Sequence, residues 1–374
     1  MKFISLSLLT FFLYGMAFSQ SASIAKHIFI ITTDGLRWQE VFGGANPDIL
    51  GNPLYVKDTA LIKNLYGDST AEQRRRKLMP FFWNLIAENG QLYGNRQLGN
   101  KVNVKNFFKI SYPGYNELLT GYADPIFIPN IPMNNRTINI LEYLNKKPDF
   151  AGKVVVFSSW NIFPFILNEK RNGLPINSGY RMSIAGKPGL EDELVEEIEK
   201  QVSPKSHTRH DMLTYFSARE YISREHPKIV LLGLGETDEF AHQGRYDLYL
   251  QQATAFDKMI AELWYYVQTD PFYKDNTVFI ITTDHGRGER ADTWSGHGIF
   301  TRGSGETWFA ILGPDIREMG ELRNVGQVWQ KQMASTIGLL IGEKFNPPHH
   351  VAAPISIPMK GNIDGNTAGR SDSK

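Results

Sequence analysis

The chain has 374 residues, 42% of them hydrophobic and 21% charged, with a formal net charge of +1 and no cysteine. Such a composition provides ample core for one large α/β domain or two ordinary ones, and excludes disulfides and thiolate metal ligands. A charge so close to zero offers no general polyanion-binding surface, so a nucleic-acid polymer is not an expected partner.

The N-terminus reads as an export signal. Lys2 precedes a largely apolar stretch, residues 4–18, and Ala17-Phe18-Ser19 sets small residues at the cleavage positions. Residues 1–19 are expected to be removed, leaving Gln20 first, in the periplasm or outside the cell. The apolar stretch is too short for a membrane span, and without cysteine it cannot be lipidated, so no stable membrane anchor is expected.

Residues 20–350 read as a catalytic domain of alternating strands and helices. His27–Thr33 is a short, β-branched apolar run that ends at Asp34-Gly35, as a buried strand entering a turn would. Similar runs occupy residues 153–157, 229–234, 277–283 and 308–312. Their near-continuous hydrophobicity suits a sheet covered on both faces. Between them, residues 246–267 repeat Leu250, Ala253, Phe256, Met259, Ile260, Leu263 and Trp264 at helical spacings. The expected fold is therefore α/β, doubly wound around a mostly parallel sheet, with ligands outside the carboxyl ends of the strands. Residues 43–76 and 160–201 are expected to be lid-like insertions, the second ending in an acidic helix over residues 191–199. Residues 351–374 lose apolar periodicity and read as a loosely held tail. The run Arg74-Arg75-Arg76-Lys77 reads as a solvated helix face.

Chemistry-bearing residues recur at the strand ends. Asp34 follows the first strand directly. Ser111 opens Ser111-Tyr112-Pro113-Gly114-Tyr115. Asp238 and His242 lie four apart after the strand at 229–234, a spacing that stacks two side chains on one helix face. Asp284 and His285 close the strand at 277–283, followed by Gly286, and His297 stands between Gly296 and Gly298. Each piece alone is weak: Asp-Gly after a strand is commonly a plain turn, and a lone histidine is commonly on the surface. The ordered set of three carboxylates, three imidazoles and a hydroxyl is what two zinc-like cations and a nucleophile require.

The chain resembles the alkaline phosphatase superfamily, in pattern most of all the type I phosphodiesterase/nucleotide pyrophosphatase enzymes. The resemblance rests on Thr33-Asp34-Gly35-Leu36-Arg37, on Ser111-Tyr112-Pro113 with Leu118-Leu119-Thr120-Gly121, and on Thr283-Asp284-His285-Gly286. It implies that Asp238, His242 and His297 hold one divalent ion. Asp34, Asp284, His285 and the Ser111 oxygen would hold the other, with zinc expected at both. It implies Ser111 as nucleophile, where the phosphodiesterase relatives usually carry threonine, and a double displacement through a phospho-seryl enzyme. The Tyr112 amide is a natural donor to a phosphoryl oxygen if Ser111 opens a helix. Relatives add an asparagine some way downstream, and Asn130, Asn134 and Asn135 are open candidates. Asn135-Arg136-Thr137 is also a glycosylation sequon, expected to be incidental.

The expected partner is a small phosphate ester. A monoester would call for cations, with Arg37, Lys170, Arg171 and Arg181 as candidates. A diester would call for an aromatic wall, with Trp38, Phe42, Trp160, Phe163 and Tyr180 as candidates. The resemblance favours a phosphodiesterase, with a phosphomonoesterase as the alternative. A sulfatase is disfavoured because Tyr115 stands where its Cys/Ser-x-Pro-x-Arg motif needs arginine. A phosphate-shuffling mutase is disfavoured by the export signal, and an inert binding protein by the complete ligand set. The sequence gives no indication of oligomeric state.

Overall fold

The computed structural model describes residues 25–126, 129–180, 190–202, 207–324 and 326–361; the expected signal sequence, Arg181 and the last residues of the expected tail lie outside them. Among the described residues, eleven strands form two sheets. They are β1 (His27–Thr33), β2 (Gly90–Tyr93), β3 (Asn100–Asn103), β4 (Val154–Ser158), β5 (Ile176–Ser178), β6 (Ile229–Leu234), β7 (Thr277–Thr282), β8 (Glu306–Thr307), β9 (Phe309–Leu312), β10 (Gly320–Glu321) and β11 (Gly326–Trp329). The main sheet has eight strands in the order β10-β2-β9-β7-β1-β6-β4-β5, and β11-β3-β8 form a small second one. β1 is parallel to both β6 and β7, and β4 extends the parallel block. Only β9, between β2 and β7, runs against its neighbours in the main sheet. This is the expected doubly wound, mostly parallel sheet.

Register is what builds the site. Thr33 of β1 pairs with Leu234 of β6, and Thr32 pairs with Thr282 of β7. The three central strands therefore end level with one another. Asp34, Gly235 and Thr283-Asp284 then leave the sheet along the same edge, outside the carboxyl ends of the parallel strands.

β1 is buried along its whole length because both faces are covered. Phe29 and Ile31 pack into a cluster with Leu250, Phe256 and Ile260 of the long helix Tyr246–Thr269. Ile28 and Ile30 pack on the opposite face with Tyr115, Leu118 and Leu119 of the helix Ser111–Thr120. The period-two alternation of a strand thus assigns neighbouring residues to different layers.

The acidic helix of the second insertion is present at Leu190–Gln201, and the stretch before it contributes edge strand β5. Residues 351–361 are more firmly held than expected. Ala352 N–H donates to Gly121 O at 3.1 Å, Ile355 N–H donates to Thr336 Oγ1 at 2.9 Å, and Ile355 is buried in the second cluster. Val351, Ile357 and Met359 also pack against that cluster, and Ser335 Oγ–H donates to Ala352 O at 2.7 Å. The basic run is also less solvated than expected, since Arg75 pairs with Glu321 and lies over the Trp83 ring.

Arg37, a candidate for substrate recognition, is a structural residue instead. It is fully buried in an ion pair with Glu40, and donates to Gly288 O at 2.7 Å. Tyr246 Oη–H donates to the Glu40 carboxylate at 2.9 Å, so the turn after β1, the long helix and the loop after β7 are tied together. Removing one partner of such a pair leaves the other charged and dry, at a cost of about 3–5 kcal/mol. Glu40→Gln should lower unfolding free energy by that order in urea titration; a loss below about 1 kcal/mol would mean that the pair does not anchor this junction.

Candidate active site

Asp34 leaves β1 with its N–H on Leu234 O at 2.9 Å, and its own carbonyl accepts from Thr237 Oγ1 at 2.5 Å. Gly35 follows in the left-handed region at φ +60°, and its N–H donates to Asp284 Oδ1 at 3.1 Å. These bonds bring the ends of β1 and β7 together. Asp284 is anchored in turn: its carbonyl accepts from Gln330 Nε2 at 2.9 Å, and a Cβ on Gly114 would come within 2.5 Å of that same oxygen. Glycine at position 114 therefore lets the Ser111 helix press against the end of β7.

Ser111 is the first residue of its helix and is 4% exposed. Its Oγ lies 3.2 Å from His285 Nε2 and 3.4 Å from Asp34 Oδ1. His285 lies 2.9 Å through Nδ1 from the Gly286 carbonyl, which can only accept, so Nδ1 carries a proton and Nε2 is the atom turned to the cluster. Nε2 is 3.3 Å from Asp34 Oδ1 and 3.5 Å from Asp284 Oδ2. The ring stacks on His297, with centroids 4.1 Å apart.

The helix Glu236–His242 supplies the other side. Asp238 and His242, one turn apart, converge as their spacing predicts, with His242 Nε2 3.2 Å from Asp238 Oδ2. His242 Nε2 is 2.9 Å from His297 Nε2, and His297 Nε2 is 3.6 Å from Asp238 Oδ1. His297 Nδ1 lies 3.3 Å from Lys109 O, which orients this ring as Gly286 orients the other. All seven residues of the expected cation set therefore meet at one place, though not in two separate groups. Asp34, Asp284 and His285 offer atoms within 4.8 Å of one another, and so do Asp238, His285 and His297. His285 stands between the two groups, and His242 lies at the outer edge with half its side chain exposed.

Electrostatics favour a cation here. Burial, reinforced for Asp34 by Asp238 and for Asp284 by Asp34, pushes both carboxyls well above the usual range. Asp284 Oδ2 is buried without a hydrogen-bond partner. Burial would raise Asp238 too, but the Arg287 guanidinium holds it well below the usual range. His297 is pushed well below an ordinary histidine by burial and by His285, which keeps it neutral and able to ligate. Buried carboxylates beside imidazoles, one oxygen orphaned, fit divalent cations with nitrogen and oxygen preference.

The expected substrate contacts fare unevenly. Asn130 accepts the Tyr112 N–H at 2.9 Å, so the amide expected to face phosphoryl oxygen is capped by the asparagine expected beside it. Asn130 also lines the cleft over Ser111, about 660 Å³ in volume, together with Ile131, Trp160 and Phe165. Asn134, Lys170 and Tyr180 line an adjoining chamber that shares Asn161, Phe165 and His207 with the cleft.

Arg171 does not reach the cleft. Its guanidinium is spent on the buried Glu142 carboxylate and on the carbonyls of Asn135, Arg136 and Thr137. On a four-residue helix, the side chains of Lys170 and Arg171 diverge. Asn135 is 1% exposed and donates to Asn116 Oδ1 and Ile166 O, so it neither faces substrate nor presents a sequon. Phe42 and Phe163 are core residues, against Trp83 and Tyr115 respectively. Trp38 donates through Nε1 to Glu306 at 2.8 Å.

Sequence reasoning missed Arg287, which is buried against Asp238. The one available signal was its place directly after Asp284-His285-Gly286.

Comparison with known proteins agrees with this geometry. The alkaline phosphatase PafA superposes with a TM-score of 0.56 at 9% identity, over 88% of this chain and 98% of that one. The fold is that of the alkaline phosphatase superfamily. The lipoteichoic acid synthase LtaP from Listeria monocytogenes (TM-score 0.54, 10% identity, 88% and 74% covered) shares it. So does the 2-O GAG sulfatase BT1596 (TM-score 0.54, 11% identity, 88% and 73% covered). By sequence, residues 185–332 match the Metalloenzyme superfamily, a span that holds Asp238, His242, Asp284, His285 and His297 but neither Asp34 nor Ser111. No curated protein sequence matches the chain. Among the described residues, no helix is long and apolar enough to cross a membrane.

Proposed function

We propose that this chain is an exported, metal-dependent phosphoric ester hydrolase that works through a phospho-seryl intermediate on Ser111 and prefers diesters. The observation that carries it is the Ser111 hydroxyl at a helix N-terminus, between Asp34 Oδ1 and His285 Nε2. Two divalent ions, zinc for preference, would be held by Asp34, Asp284 and His285 with the Ser111 oxygen, and by Asp238, His242 and His297. When bound, such ions supply the positive charge that lowers the cost of an oxyanion at Ser111 and on the phosphoryl group.

The chain's own groups do the rest. Ser111 Oγ forms the bond to phosphorus while the ester oxygen leaves with its electron pair, and the seryl proton has an acceptor in Asp34 Oδ1. Water then displaces Ser111 in a second step and releases the phosphate product. Asn130, which accepts the Tyr112 N–H and lines the cleft, would orient the bound group.

Diester preference rests on the walls of the cleft. Among the described residues that line it there is no Lys or Arg to meet the extra charge of a monoester, and Trp160, Ile162 and Phe165 offer an apolar face to a second substituent. The sulfatase alternative is disfavoured further because Tyr115 is buried in the core, 3.3 Å from Thr32 Oγ1.

Rates on an aryl phosphodiester, an aryl phosphomonoester and an aryl sulfate test the substrate class. The diester should be fastest and the sulfate slowest. A monoester preference that falls selectively in Lys170→Ala would make this a phosphatase served by the adjoining chamber. Formylglycine at residue 111 would make it a sulfatase.

A further inference from the structure

Arg287 lies inside the cluster, and neither nucleophile nor ligand set accounts for it. Its side chain has no exposed surface, against 18% for Asp238 beside it. Nη1 donates to Asp238 Oδ1 and Nη2 donates to Ser295 O, while the buried Nε has no acceptor. Gly35 makes room for the guanidinium. A Cβ at that position would lie 2.7 Å from Arg287 Nη1, 3.1 Å from Asp238 Oδ1 and 3.2 Å from His285 Cε1. Arg287 is therefore wedged where the Asp238 side and the His285 side of the cluster meet. Arginine does not lose its proton in proteins, so the charge is permanent.

This fixed cation acts unequally on the two sides. An ion approaching Asp34, Asp284 and His285 meets two carboxylates, one with an unpartnered oxygen. An ion approaching Asp238, His242 and His297 meets two imidazoles and a single carboxylate whose Oδ1 is already engaged by a guanidinium. Like charges a few ångströms apart repel strongly where water is scarce. The outer position is also the more open, since His242 is half exposed.

We infer that Arg287 makes the metal centre asymmetric: one ion held tightly by Asp34, Asp284 and His285, and one held weakly and exchangeably by Asp238, His242 and His297. The inference rests on the metal-centre reading above. Arg287 is then a positioning residue. It fixes the rotamer of Asp238 and sets the affinity of the outer ion, so that turnover tracks the free metal concentration outside the tight site's range.

Zinc titration of the full chain, stripped with chelator and followed by equilibrium dialysis, tests this without turnover. Wild type should show two affinity classes at least about tenfold apart. Arg287→Met should tighten the weak class by about tenfold and the tight class by clearly less, while Arg287→Lys, which keeps the charge, should retain the gap. Two equal classes in wild type, or a weak class unmoved in Arg287→Met, would overturn the inference and leave the metal centre standing. Should Arg287→Met fail to fold, His242→Ala decides: loss of the weak class alone supports the asymmetry, and loss of the tight class overturns it. Wild type that binds no zinc would remove the metal-centre reading itself.

Discussion

Ser111→Ala should retain the fold and most bound metal yet lose activity by about three orders of magnitude or more. The side chain is small and buried at the start of a helix, so removing one oxygen leaves little cavity. The helix itself stays anchored by Glu117, whose carboxylate accepts the N–H groups of Lys105, Asn106 and Lys331. The neighbouring carboxylates and imidazoles do not depend on Ser111 for their positions: Asp284 is held by Gln330 and Gly35, and His285 by Gly286. What disappears is the hydroxyl proposed to form the covalent bond to phosphorus. Intact-mass measurement after an acid quench should show a phosphorylated wild type and an unmodified variant. Near-native turnover in Ser111→Ala would place the nucleophile elsewhere and end the double-displacement proposal.

The parts of this molecule that could be read from sequence are those where local pattern and tertiary position coincide. β1, β6 and β7 are apolar runs buried on both faces, and each is followed within two residues by an Asp or Gly that does not favour a strand. Asp34 and Asp284 could therefore be assigned to a sheet edge before any pairing was known. The Asp238–His242 pair was legible because helical period alone brings i and i+4 together. Strand direction was not legible. Nothing in residues 309–312 says that β9 runs antiparallel between two strands of the opposite sense. β5 is three residues long, too short for a period to declare itself.

Charged residues were misassigned where burial depends on distant partners. Arg37 looked available for substrate, but Glu40, Tyr246 and Gly288 close around it from three segments. Arg171 looked like a partner to Lys170, but the carboxylate that takes it, Glu142, lies 29 residues earlier. Arg287 went unremarked because nothing in Asp284-His285-Gly286-Arg287 marks the arginine as buried. Gly35 makes room for its guanidinium, Asp238 and the Ser295 carbonyl accept from it, and Gly288 N–H pairs with Gly296 O at 2.9 Å in the loop that follows. In each case the decisive contact is long-range and polar, which hydrophobic periodicity does not record.

His285→Ala should be the most damaging single change at the cluster, losing turnover by about three orders of magnitude or more and most of the bound metal. The geometry sets it apart from the other histidines. Its Nε2 lies within 3.5 Å of Ser111 Oγ, Asp34 Oδ1 and Asp284 Oδ2, and its ring stacks on His297. It belongs to both ligand groupings, whereas His242 belongs to the exposed edge. Without it, Asp34 and Asp284 would face each other across a void with both carboxyls buried, and a neutral methyl could not stand in as ligand. His242→Ala should instead lose at most one equivalent and keep the tighter ion. Metal analysis of both variants, purified without chelator, separates these outcomes. Prolonged treatment of wild type with chelator should reproduce the His285→Ala loss of activity, and added zinc should restore it in wild type but not in the variant. An ion binding only to the native state stabilises it by about 2.7 kcal/mol at a hundredfold excess over its dissociation constant, so chelated wild type should also melt earlier. Full activity in wild type stripped of metal, or a His285→Ala variant with native metal content and turnover, would show that the cluster does not work as a metal centre.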